Sequence, residues 1–132
     1  MTIVVGYIPS KEGSAAVDAA IREAQLRSQQ LVVVNTGKGG DNSGPHFATP
    51  QDLDALDAQL AELGIDHVIE QPTGTLAPSE AILEAAERVG ADLIVIGIRH
   101  RSPVGKYFLG STSQQVLLDA PCPVFAVPAP LS

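Results

Sequence analysis

The chain has 132 residues, 45% of them hydrophobic and 17% charged, with a formal net charge of -7. That length is enough to close one hydrophobic core, and the balance belongs to a globular chain rather than a disordered one. The excess of acid, with only two Tyr, three Phe and no Trp, argues against nucleic-acid binding by phosphate neutralisation or base stacking.

A single cysteine, Cys122, cannot form an internal disulfide, so a reducing cytoplasm is the expected compartment. No apolar run approaches the roughly 18 residues of a membrane span. The opening MTIVVGYIPS has neither the basic region nor the cleavage pattern of a secretory leader.

In chain order, TIVVG (Thr2 to Gly6) reads as a strand, an apolar run bounded by glycine. SAAVDAAIREAQLRSQ follows as a helix, with Ser14 capping or beginning it. QLVVVN is the second strand, and the Gly- and Pro-broken stretch after it cannot be regular structure. A second helix begins with Thr49 as N-cap and Pro50 in the first position, and closes at Gly64. DHVIEQ, with polar residues interleaved, predicts a third strand near a sheet edge. The third helix opens at Pro78 and Ser79 and ends at Gly90. ADLIVIGI is the most hydrophobic strand and belongs at the centre, buried on both faces. Residues Gly110 to Asp119 predict a fourth helix and CPVFAVP a last strand.

Strands alternating with helices of this length require crossover connections and hence a parallel sheet. Right-handed crossovers make it a doubly wound three-layer α/β/α sandwich in one domain, residues 1–132. Ligands in such sheets bind beyond the carboxyl ends of the strands. The loops at those ends are expected from Gly6, Thr36, Gln71 to Thr75, Gly97, and after Val127.

One of them is unusual. GIRHRSPVGKYFLGSTS (Gly97 to Ser113) holds Arg99, Arg101 and Lys106, and neither Asp nor Glu occurs between Asp92 and Asp119. A helix opening on GSTS offers unpaired backbone N–H groups, hydroxyls and the positive end of a helix dipole, all suited to phosphate. The plainer alternative is that Ser111 caps the helix, Gly110 makes the turn and the cations face water.

The segment GIRHRSPVGKYFLGSTSQQVLLDAPCPVFAV resembles the C-terminal signature of the universal stress protein family, G-x2-G-x9-G-[ST] followed by A-x-C-P-V. Gly97, Gly110 and Ser111 stand at three of its positions, and Ala120, Cys122, Pro123 and Val124 supply the ending. The likeness runs the length of the chain, including Gly74 after the third strand. It implies the flavodoxin-like strand order 3-2-1-4-5, an adenosine-nucleotide site, and dimerisation through the last strand, Val124, Phe125, Ala126 and Val127. Two positions depart from the pattern: His100 replaces the second glycine, and Ile8 and Pro9 stand where Asp and Gly are expected, with Ser10 kept.

By this resemblance Gly97, Gly110, Ser111, Thr112 and Ser113 surround phosphate and Arg99 supplies a charged contact. Ile8 and Thr36 flank base or ribose by position. ATP is the first candidate, with AMP, a cyclic nucleotide or another phosphorylated metabolite as alternatives. The expected role is a sensor or adaptor in the stress response. The alternatives are a nucleotide-free homodimeric interaction module and, less favoured, a weak ATP hydrolase.

Efficient catalysis is not expected. SPVGK lacks the complete phosphate-loop pattern because Tyr107 follows Lys106, and no magnesium-holding acid lies in the basic loop. His46, His67 and His100 do not form a triad with GSTS, and Asp41 with His46 lacks metal-ligand spacing. Cys122 reads as a small buried hydrophobe.

Overall fold

A computed structural model of the protein describes residues 1–36, 48–72, 76–100 and 107–129. Arg101, Lys106, Asp41, His46, Gly74 and the loop from Gly37 to Phe47 lie outside the described residues. The strands are β1 (Thr2–Tyr7), β2 (Gln30–Asn35), β3 (His67–Glu70), β4 (Leu93–His100), β5 (Tyr107–Phe108) and β6 (Val124–Pro128). The helices are α1 (Lys11–Arg27), α2 (Pro50–Glu62), α3 (Pro78–Val89) and α4 (Ser111–Asp119).

Five parallel strands stand in the order β3-β2-β1-β4-β6, which is 3-2-1-4-5 when the parallel strands alone are counted. The register is continuous at the centre, with Val5 opposite Val33 on one side and Val95 on the other. β3 is an edge strand, paired with β2 alone among the described strands, in keeping with its polar alternation. β4 lies between β1 and β6. Its residues Leu93, Ile94, Val95 and Ile96 are all buried, as expected of a strand covered on both faces.

Alternate residues of the sheet feed two cores. Ile3, Val5, Leu31, Val33, Leu93 and Val95 pack with α1 and α2. Val4, Val32, Val34, Ile94 and Ile96 pack on the other face with α3 and Val116 of α4. The helices are held unequally. α1 buries seven residues, Gly13 to Ala24, whereas α2 buries only Leu56 and Leu60.

Three elements differ from the sequence reading. α1 begins at Lys11, not Ser14, because the Ser10 side chain accepts from the Gly13 N–H at 3.0 Å and sets the N-cap one turn earlier. β4 runs to His100, so Gly97 lies inside a strand rather than at the start of a loop. The short β5 is an added antiparallel piece, pairing Tyr107 with His100 and Phe108 with Arg99. α2 and α3 keep their expected ends. The Thr49 hydroxyl accepts from the Asp52 N–H at 3.1 Å while the Asp52 carboxylate accepts from the Thr49 N–H at 2.9 Å. Gly90 is the C-cap of α3. Cys122 is half-buried against the second core, where burial and then Asp92 push its thiol pKa up. A raised pKa keeps a thiol protonated, in line with a packing role.

Candidate functional site at the carboxyl rim of the sheet

The strand register collects the relevant chain ends on one rim. Tyr7 at the end of β1 lies opposite Asn35 at the end of β2, and Gly97 of β4 lies opposite Val127 of β6. Ile8 and Thr36 follow directly. Ile8 is half-buried, and its carbonyl accepts from the Ser10 N–H at 2.8 Å. Thr36 is buried and donates its N–H to the Tyr7 carbonyl at 3.3 Å. Thus both residues assigned to the nucleoside side sit at the rim, Ile8 half-buried and Thr36 buried.

Two glycines make the backbone of this rim. A Cβ at Gly97 would overlap the backbone carbonyl of Glu12, in the first turn of α1. A Cβ at Gly13 would overlap the carbonyl of Ile8. The first turn of α1 therefore rests between β4 and the loop leaving β1, a closeness that any side chain would prevent. The packing requirement of Gly97 is thus for α1. Its place in the sequence signature does not disclose that neighbour.

The first turn of α4 is built differently. Gly110 is its N-cap, with extended φ of -70° and ψ of 175°, and it supplies no side-chain acceptor. The alternative reading of Ser111 as the cap is therefore corrected: Ser111 is the first helical residue. The first intrahelical bond runs from the Gln114 N–H to the Gly110 carbonyl at 3.0 Å. Hence the N–H groups of Ser111, Thr112 and Ser113 precede the helical ladder. Ser111 is exposed, Thr112 half-buried and Ser113 buried. The other three helices carry an acid in the first turn, Glu12, Asp52 and Glu80, whereas α4 carries none. The positive end of the α4 dipole has no carboxylate of its own first turn beside it. Arg99 and His100 contribute backbone to β4 at the same end, level with β5.

A polar knot missed by the sequence reading holds the other half of the rim. Asn35 is fully buried. Its Nδ2 donates to the Tyr7 carbonyl at 2.9 Å, and its Oδ1 accepts from the Ala48 N–H at 3.0 Å and from Gln71 Nε2 at 2.8 Å. Gln71 Nε2 also reaches the Ala48 carbonyl at 3.2 Å. One side chain thereby ties the ends of β1 and β2, the entry to α2 and the exit of β3. The available signal was an Asn closing an otherwise all-valine strand, since a buried amide must find partners. Tyr7, half-buried beside this knot, has its phenol pKa pushed up by burial and then by Asp52. Among the described residues, no group of three or more His, Cys, Asp or Glu could hold a metal ion, and no helix is long and apolar enough to cross a membrane.

The family model described as the universal stress protein family matches residues 1–128. The chain belongs to that family. A universal stress protein from Mycolicibacterium smegmatis is 43% identical over 125 residues, covering 95% of each chain. Among solved structures, a universal stress protein from Archaeoglobus fulgidus is 30% identical, with a TM-score of 0.78 over 96% of this chain and 98% of that one. A universal stress protein in complex with cAMP is 25% identical, with a TM-score of 0.69 over 98% of both chains. The family fold is therefore kept along with the order of its strands.

Proposed function

We propose that the carboxyl rim binds an adenosine nucleotide, with ATP as first candidate, and that the protein serves as a cytoplasmic stress-response sensor or adaptor without efficient catalysis. The observation carrying this reading is the first turn of α4, which has neither an acid nor a cap side chain and directly follows β5, paired with the carboxyl end of β4. Gly110, Ser111, Thr112 and Ser113 are the phosphate-binding residues in this reading, with Gly97 holding the adjoining rim and Arg99 as charged contact. Ile8 and Thr36 border the nucleoside. The cAMP complex of a relative 25% identical to this chain supports a nucleotide as occupant.

The protein purified without added nucleotide is denatured and its released small molecules are identified by mass spectrometry. The apo protein is then titrated with ATP, AMP and cAMP. A near-stoichiometric adenosine nucleotide, or a saturable titration, supports the reading. An empty protein silent to all three overturns it and favours a nucleotide-free homodimeric module.

That second reading has its own observation. β6 pairs with β4 on one side, and Phe125 and Ala126 are exposed, Phe125 by 39%. An apolar edge of this kind is an opportunity for pairing with a second copy. A homodimer through Val124 to Val127 is accordingly part of both readings. Phe125→Glu is expected to give a monomer by light scattering, and a persistent dimer would rule out this interface.

A further inference from the structure

His67, the first residue of the edge strand β3, lies at the amino end of the sheet, opposite the rim described above. Its side chain is only 11% exposed. Nδ1 is 2.7 Å from the Ile65 carbonyl, and Nε2 is 2.6 Å from Oδ1 of Asp57 on α2. A peptide carbonyl accepts only, and so does an ionised carboxylate. A neutral imidazole has one N–H, so it can satisfy one of these partners and must set its bare nitrogen against the other. The imidazolium satisfies both. The arrangement therefore selects the protonated ring on geometry alone.

The surroundings favour the same state. The Ile65 carbonyl holds the His67 pKa above its ordinary value against the opposing effect of burial, and Asp57 and then Asp66 add to it. Asp57 comes from α2 and Asp66 from the turn before β3. From β2, the residue level with His67 is the apolar Leu31, and the Leu31 N–H anchors the Asp66 carbonyl at 2.9 Å. The charged groups acting on the ring among the described residues are thus both acidic.

What the ring joins gives this contact its consequence. α2 buries only Leu56 and Leu60 and is otherwise tied by the Asn35 knot at its entry. The charged hydrogen bond at Asp57, though screened on its exposed carboxylate side, is therefore a third point of attachment farther along the helix. We propose that His67 is a proton-operated latch, which docks α2 against the edge of the sheet when protonated and loosens it when neutral. This goes beyond the nucleotide reading and does not rest on it. The sign follows from the raised folded-state pKa. The contribution is complete below the unfolded value of about 6.5, and it is lost as pH rises through the higher folded value.

The test uses the full chain without ligand. NMR titration of the His67 ring and hydrogen exchange of α2 amides, corrected for intrinsic rate, are compared at about pH 5.5 and about pH 8.5, with α1 amides as internal control. The latch predicts a His67 pKa above its ordinary value and a several-fold fall in α2 protection relative to α1 at the higher pH. In His67→Gln, which cannot titrate, the relative protection of α2 is expected to be the same at both pH values. Asp57→Asn, a change at an exposed position, lowers the His67 pKa and weakens the pH dependence; it carries the same test where His67→Gln does not fold. Relative protection of α2 that is unchanged with pH in the wild type, a fall retained in full by the variants, or a ring titrating at or below its ordinary value overturns the proposal.

Discussion

The first turns of α1 and α4 both begin at the carboxyl rim, yet the chain treats them in opposite ways. α1 is closed by its own residues: Ser10 caps it, Glu12 lies in its first turn, and the glycines at 13 and 97 let neighbouring backbone press against it. α4 has glycine as its cap and no acid in its first turn. The same end-of-helix electrostatics is met by the chain's own groups in one case and left without a first-turn acid or cap side chain in the other. A helix terminus is therefore informative about binding only after its internal partners have been counted.

The contrast can be broken from either side. The largest effect is expected from Gly97→Ala, because its Cβ would meet a backbone carbonyl that cannot swing aside. Overpacking of this kind costs about 1–3 kcal/mol, read as a lower urea midpoint. Wild-type stability would mean that α1 is free to retreat from β4. Next comes Ser111→Asp, which gives α4 the acid it lacks. The helix should gain about 0.5 kcal/mol from its dipole, while the affinity for nucleotide falls about tenfold, or about 1.4 kcal/mol, through like-charge repulsion. Opposite signs in the two measurements would sharpen the contrast, whereas unchanged affinity in a binding-competent protein would remove phosphate from this turn. Ser10→Ala should cost about 1 kcal/mol of stability through the lost cap. A cost near zero in thermal or urea unfolding would show that α1 is held by packing alone.

Much of this architecture was legible in the sequence because local and global signals agree. α2 is the clear instance: Thr49, Pro50 and Asp52 fit a helix start, and the structure uses them as such. The start of α1 was obscured because Gly13 argues locally against helix, and Ser14 offers a plausible cap one turn late. β5 is two residues long and carries no period of its own. At the rim, the sequence places Gly110 at the start of α4, as the structure does, but puts Gly97 at the head of a loop, whereas it lies inside β4 against α1. A glycine announces that something approaches closely, without saying whether it is a ligand or another part of the chain. Asn35 was missed for a related reason. Its partners come from β1, the entry to α2 and the exit of β3, and no local pattern contains all three.

The contacts made at Gly13 and Gly97 are with main-chain carbonyls, and so they are indifferent to the identity of the side chains around them. The skeleton of the rim and its decoration are consequently separable in evolution. Side chains such as those at Ile8 and Pro9 can change while the frame that presents them keeps its shape. Substitutions at the rim can therefore change its surface chemistry one side chain at a time without disturbing the backbone contacts that hold α1 in place.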